Sequence, residues 1–285
     1  MNMLMNSVLC LLPLVLVLTL IVRKRREQLA FSCAPFDELQ RRPAGEALRI
    51  KLETLDEKLT DDILGLIMFP MLMVFVMDFL HPKDWVSPII GFLLCAGSSV
   101  FFGKRIYLAS RSKSNYRLGF EGERFVGEEL SRLIACKFEI YHDVPFEDFN
   151  LDHVLVGSRG VFVVETKTRR KPVRDSGEKQ YRVLFDGKFL QWPWGQDSHG
   201  IEQAKNNAKT LSSWLSSATA ENVKVTPILT LPGWMVDRKA AANGIYVLNP
   251  KEIFGVCSSL PQTINDQQIQ RICHQLNQKC RLEVN

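Results

Sequence analysis

The seven cysteines of this chain include no C-x-x-C pair, and none combines with the five histidines at zinc-ligand spacing. That excludes zinc-ribbon and thioredoxin-type chemistry and fits a reducing compartment. Internal repeats and low-complexity segments are also lacking. Charge is nearly missing from three apolar runs: Met3 to Val22 carries none, Ile63 to Leu80 carries only Asp78, and Val86 to Phe102 carries none. Beyond Phe102 charged and apolar residues mix as they do in soluble domains, so the formal net charge of +5 hides a split along the chain.

The first run is about the length a bilayer crossing needs. A cleaved signal peptide is the competing reading. The run has no basic residues before it and no small-residue cleavage site after it, and "RKRR" follows, which favours an uncleaved anchor. The second and third runs are separated only by "HPKDW" and read as a membrane hairpin, against a buried helical hairpin of a soluble domain. Arg23 to Arg26 follow the first run, and Lys104, Arg105, Arg111, Lys113 and Arg117 follow the third. By the positive-inside rule these flanks are cytoplasmic, with the amino terminus outside. The expected localisation is a multi-pass inner membrane protein whose soluble domain lies in the cytoplasm. The same basic flanks suit anionic headgroups of the lipid bilayer.

The expected organisation is an anchor over residues 1–22, a cytoplasmic amphipathic segment over 23–61, a helical hairpin over 62–103, a basic linker over 104–118 and a soluble domain over 119–285. Within the amphipathic segment Leu48, Leu52, Leu55 and Leu59 recur at three-to-four spacing, a helical stripe that suits either the membrane or the soluble domain. The soluble part predicts a helix from about Phe120 to Ala135 and strands near 138–141, 152–156 and 161–167. An Asp-Gly hairpin in "YRVLFDGKFLQW" follows, then a helix over about 200–216, two further strands and a terminal helix over about 266–280. Cys273 and Cys280 on that last helix read as buried structural thiols.

The stretch "LDHVLVGSRGVFVVETKTRRK" places charge inside what reads as a hairpin. With the turn at Ser158 and Arg159, Val156 faces Val161, Val154 faces Val163, and Asp152 faces Glu165. Lys167, two residues on, points the same way. Opposed like charges on paired strands are unfavourable, and burying either alone is costly, so something must compensate. A divalent cation bridging the carboxylates does this, with Lys167 left to orient or deprotonate a water. The alternative is an exposed hairpin end with three solvated charges.

The order Gly119, Gly122-Glu123, Asp152, Glu165-Thr166-Lys167 and Gln203 resembles the nuclease-related domain, NERD, within the PD-(D/E)xK nuclease superfamily. The matching part covers about Gly119 to Leu231. The resemblance implies an α/β fold of restriction-endonuclease type, a mixed sheet flanked by helices, here preceded by three transmembrane helices. It implies Asp152 and Glu165 as metal ligands, Lys167 as the catalytic lysine, and Glu123 as a helix-borne acid that contacts metal or water. Gln203 resembles the glutamine that related nucleases carry on the helix after the core strands. The sequence departs from the pattern where "QDSHGIEQ" lacks an Asn-Pro before the glutamine and where Asn207 stands at a position that some relatives fill with tyrosine. Read from the residues alone, Glu123 also suits a helix amino terminus, and Gln203 a helix surface.

The function expected is a membrane-anchored nuclease that uses Mg²⁺ or Mn²⁺ to hydrolyse phosphodiester bonds, with DNA favoured over RNA. The rival is a catalytically silent, membrane-tethered module that keeps the fold and binds nucleic acid or protein. Arg169, Arg170, Lys171 and Arg174 could contact a phosphate backbone. Trp192 and Trp194 could stack bases, although packing against the sheet edge is the commoner use of such residues. The sequence gives no oligomeric state.

Overall fold

The computed structural model describes residues Leu20, Arg23, Lys24, 41–80, 85–172, 181–239 and 244–280. The chain divides into two compact units, Met1–Gln40 with Glu283–Asn285, and Arg41–Leu282. In the first unit the three described residues are helical. The span expected over Met3 to Val22, apart from Leu20, and the "HPKD" linker of the hairpin lie outside the described residues, as does Arg174.

The second unit begins with two long helices, α1 (Glu46–Leu80) and α2 (Val86–Ser131), and a 3₁₀ turn over Arg132–Cys136. Both helices are long and apolar enough to cross a membrane, by windows within Glu46–Met77 and Val86–Cys136. They pack antiparallel in one steady register: Leu48 meets Gly119, Lys51 lies over the Tyr116 ring, Asp62 pairs with Arg105, and Gly65 meets Phe102. The leucine stripe therefore lies on α2: Leu48, Leu52, Leu55 and Leu59 are half-buried between exposed charges. Phe75, Ile89, Phe92 and Val100 remain exposed at the apolar end.

A helix was expected to begin near Phe120. Instead α2 is continuous for 46 residues, through the basic stretch 104–118 and on to Ser131. The charges that suggest a linker are helix-compatible there, since Arg105 pairs with the buried Asp62, Lys113 with Asp56, and Arg117 with Glu121 one turn on.

The rest of the unit holds two mixed sheets. The larger is ordered β1 (Glu139–Pro145), β2 (Asn150–Gly157), β3 (Gly160–Thr166), β7 (Val225–Thr230), β9 (Tyr246–Leu248). β1, β2 and β3 are antiparallel neighbours, whereas β7 and β9 join in parallel. The smaller sheet is ordered β6 (Gly195–Asp197), β5 (Leu190–Trp192), β4 (Arg182–Phe185), β8 (Met235–Arg238). Helices α3 (His199–Thr219), α4 (Pro250–Ser259) and α5 (Asp266–Lys279) complete it.

Because β3 is buried on both faces, it reads as an unbroken apolar run that period two then sorts. Val161 and Val163 pack with Leu211, Leu215, Ile272 and Leu276 of α3 and α5. Phe162 and Val164 pack with Val126 and Leu130 of α2 on the other face. Cys257 and Cys280 are buried and Cys273 half-buried, all as free thiols.

Candidate active site

The hairpin register is the one that period two dictates. Val156 pairs with Val161, Val154 with Val163 and His153 with Val164, so the next pair outward is Asp152 and Glu165. Both carboxylates point to the face covered by α3, at the carboxyl end of β3 where it runs parallel to β7. Open α/β sheets place their ligand sites at such ends.

Glu165 is 2% exposed, and both its oxygens are engaged. Oε1 accepts from Lys167 Nζ at 2.8 Å, and Oε2 accepts from Asn207 Nδ2 at 2.8 Å. Lys167 Nζ also donates to Gln203 Oε1 at 2.8 Å. An ammonium has three donors, so one remains for a water or a phosphate oxygen. Gln203 and Asn207 stand one turn apart on α3, and Gly200 in its first turn sits against the Lys167 stem. Gln203 is thus a partner of Lys167 and no free surface amide. Asp152 Oδ2 accepts from the backbone N–H of Thr166 at 2.7 Å, which ties β2 to the strand exit that carries Lys167.

Glu123 arrives from α2. Gly45, at the amino end of α1, lies close enough that a Cβ there would be 3.6 Å from Glu123 Oε2. Gly45 has φ +78 and packs against Phe120, so both space and backbone require glycine. Gly122 has a different constraint: a Cβ on it would strike the Thr168 side chain. The Gly-Glu dipeptide therefore brings α2 hard against the strand exit and sets the acid beside it.

Burial pushes the Glu123 carboxyl up to about 8, with the charges of Asp143 and Glu165 adding to the shift. Burial and the Glu165 charge hold Asp152 well above the usual carboxylate range. Burial also raises Glu165, opposed by Lys167, His199 and Asn207. Three acids that resist ionisation together form a site that a cation would relieve.

Among the described residues no group of three His, Cys, Asp or Glu converges as a metal cage. The donors present suit Mg²⁺, which needs only one or two carboxylates and keeps several waters.

Asp143 organises the surroundings. It is buried and accepts from Ala47 N at 2.9 Å and from Asn150 Nδ2 at 2.9 Å, with Arg42 at 3.4 Å. It thereby caps α1, the apolar hairpin's first helix, from within the sheet. Beside it, His142 and the fully buried His153 share an Nδ1···Nδ1 contact of 2.8 Å, so one of the two nitrogens must be an unprotonated acceptor. Sequence reading passed over Asp143, and only its contact with α1 marks it.

The basic run after Lys167 is largely spoken for. Arg169 meets Asp197 at 3.3 Å, and Arg170 donates to the carbonyl and hydroxyl of Ser114 on α2. Trp192 is buried and Trp194 is 53% exposed.

No curated protein and no solved structure matches this chain. Residues 118–232 match the family described as NERD, nuclease-related domain. That span contains Glu123, Asp152, Glu165, Lys167 and Gln203, and the chain accordingly carries a nuclease-related domain on a mixed α/β fold.

Proposed function

We propose that this chain is a membrane-anchored nuclease that hydrolyses phosphodiester bonds, preferentially in DNA, with Mg²⁺ or Mn²⁺, on the cytoplasmic side of the inner membrane. The observation that carries the reading is Lys167 Nζ, held at 2.8 Å from both Glu165 and Gln203 beside the partly buried Asp152. The match over residues 118–232 supports the nuclease class, and the apolar hairpin of α1 and α2 supports anchoring.

Asp152 and Glu165 would hold the cation, with Glu123 contributing directly or through water. Bound there, it would supply charge stabilisation at the phosphate and a more acidic water. Lys167 uses its third N–H to place the attacking water or a phosphate oxygen, while Gln203 fixes the direction of the ammonium. Asn207 holds Glu165 in one rotamer and blocks its collapse onto Lys167 alone. Glu123 is the group suited to carry a proton near neutral pH, since burial has moved it there.

The rival is a silent binding module. In its favour, the Lys167–Glu165 ion pair already offsets one of the carboxylates without any metal. Whole chain in detergent, offered labelled single- and double-stranded DNA and RNA with Mg²⁺, Mn²⁺ or chelator, separates the two. The nuclease reading expects metal-dependent cutting that Asp152→Ala abolishes. Metal and nucleic-acid binding without cutting of any substrate would favour the silent module.

A further inference from the structure

Trp192, Trp194 and Trp234 form one cluster beside the strand exit. Trp192 and Trp194 are stacked with centroids 5.3 Å apart and planes 12° from parallel. Trp234 meets both edge-on, at 5.0 and 5.5 Å. Trp192 and Trp234 are buried in the core of the smaller sheet.

Trp194 is different. Trp192 pairs with Gly195, which leaves Pro193 and Trp194 as the two residues of the β5–β6 turn. Two-residue hairpin turns are usually made of Asn, Asp or Gly rather than an indole. Trp194 stacks on Trp192, meets Trp234 at a steep angle and is still 53% exposed. Its plane is nevertheless fixed from two sides, so the exposed face is preorganised.

The cluster is tied to the catalytic strand exit. Trp234 Nε1 donates to the Arg169 carbonyl at 3.2 Å, and Arg169 is two residues beyond Lys167. Two residues span at most about 7 Å of backbone, which puts the indole within roughly 20 Å of Lys167. The Arg169 side chain reaches Asp197, three residues past Trp194, and the Lys171 ammonium lies beside Gly233, next to Trp234. With Arg169 already paired to Asp197, Lys171 is the cation near the cluster open to a phosphate, and an exposed ring held by two others suits stacking by an unpaired base. Duplex bases are stacked on each other and present no free face.

We infer that Trp194 is a base-stacking subsite for single-stranded nucleic acid, seating an unpaired nucleotide within a few nucleotides of the cleaved phosphate. The inference rests on the nuclease reading for its role in cleavage, but not for binding.

Binding is measured on the whole chain in detergent, with chelator, to four labelled probes. These are oligothymidylate, oligouridylate, a blunt DNA duplex and an oligodeoxynucleotide backbone without bases. Stacking predicts that Trp194→Ala weakens at least one base-bearing single strand about tenfold, that Trp194→Phe retains most of the affinity, and that duplex and base-free strand are indifferent to either change. In the unaltered chain the base-free strand binds about tenfold more weakly than the best base-bearing one, a comparison that needs no variant. Equal affinity for base-bearing and base-free strands, or single-strand affinity untouched in a folded Trp194→Ala, would overturn the subsite. So would failure of the unaltered chain to bind single strands. The base-dependent signature together with no cleavage under any metal would instead sink the nuclease reading alone.

Discussion

Glu165 accepts from Lys167 through one oxygen and from Asn207 through the other, so its orientation depends on a helix that follows it by more than thirty residues. Replacing Asn207 by Ala should weaken metal binding ten- to a hundredfold and, by leaving a buried Glu165 oxygen unpaired, lower stability by about 1–3 kcal/mol, checked by metal titration and chemical unfolding. The half-buried His142 gives a pH prediction. Burial lowers it to about 4, so between that value and its unfolded value near 6.5 the unfolded chain binds more protons, and stability falls as pH falls. Glu123 acts oppositely over part of this window, which makes the comparison one between parent and variant. His142→Gln should lose less stability on acidification, the difference growing to the order of 3 kcal/mol from pH 7 to pH 4. Urea unfolding in detergent at several pH values reads it. At this scale the period of two made the shared face of Asp152, Glu165 and Lys167 legible. Gln203 and Asn207 stood out only through the family resemblance, and their pairing with Lys167 and Glu165 was not legible, because it spans 36 and 42 residues.

The strands of the larger sheet were legible because each lies in an apolar stretch, even three-residue β9, whereas β6 and β8 have three and four residues and mostly polar or exposed positions. Helix α4 carried a signal that went unread: Asn249 caps it, Pro250 opens it and Glu252 closes a capping box. The continuity of α2 was hidden by its charges, whose partners lie on α1 for Arg105 and Lys113 and on α2 itself for Arg117. This continuity has a consequence for dissection. A chain begun at Gly119 lacks α1 and leaves Asp143 without Ala47 N–H and Arg42. It should melt well below a chain begun at Arg41, with both in detergent. Asp143→Ala in the whole chain should cost about 3 kcal/mol, checked by chemical unfolding. Gly122→Ala should displace Thr168 and with it Lys167, lowering stability by about 1–3 kcal/mol, and Thr168→Gly should restore part of the loss.

For the molecule as a whole, α2 runs without a break from the apolar hairpin to Glu123, so the proposed membrane anchor and the proposed active site share one rigid element. From Asp62 and Arg105 down to Gly45 and Phe120 the helix pair spans roughly 25 Å, a stalk that would hold the sheet clear of the headgroups. The raised carboxyls make a further prediction about the proposed cation. Since Glu123 titrates near 8, a metal must displace a proton below that pH and does not above it. Mg²⁺ should therefore raise the melting temperature more at pH 8.5 than at pH 6.5. An equal shift at both pH values would remove Glu123 from the ligand set. The central claim is most directly tested by comparing the whole chain with Lys167→Ala for Mn²⁺ binding and for DNA cleavage in the same preparation. The account predicts that the variant binds the metal and loses cutting by about a hundredfold or more. Cutting that survives the loss of Lys167 would contradict it.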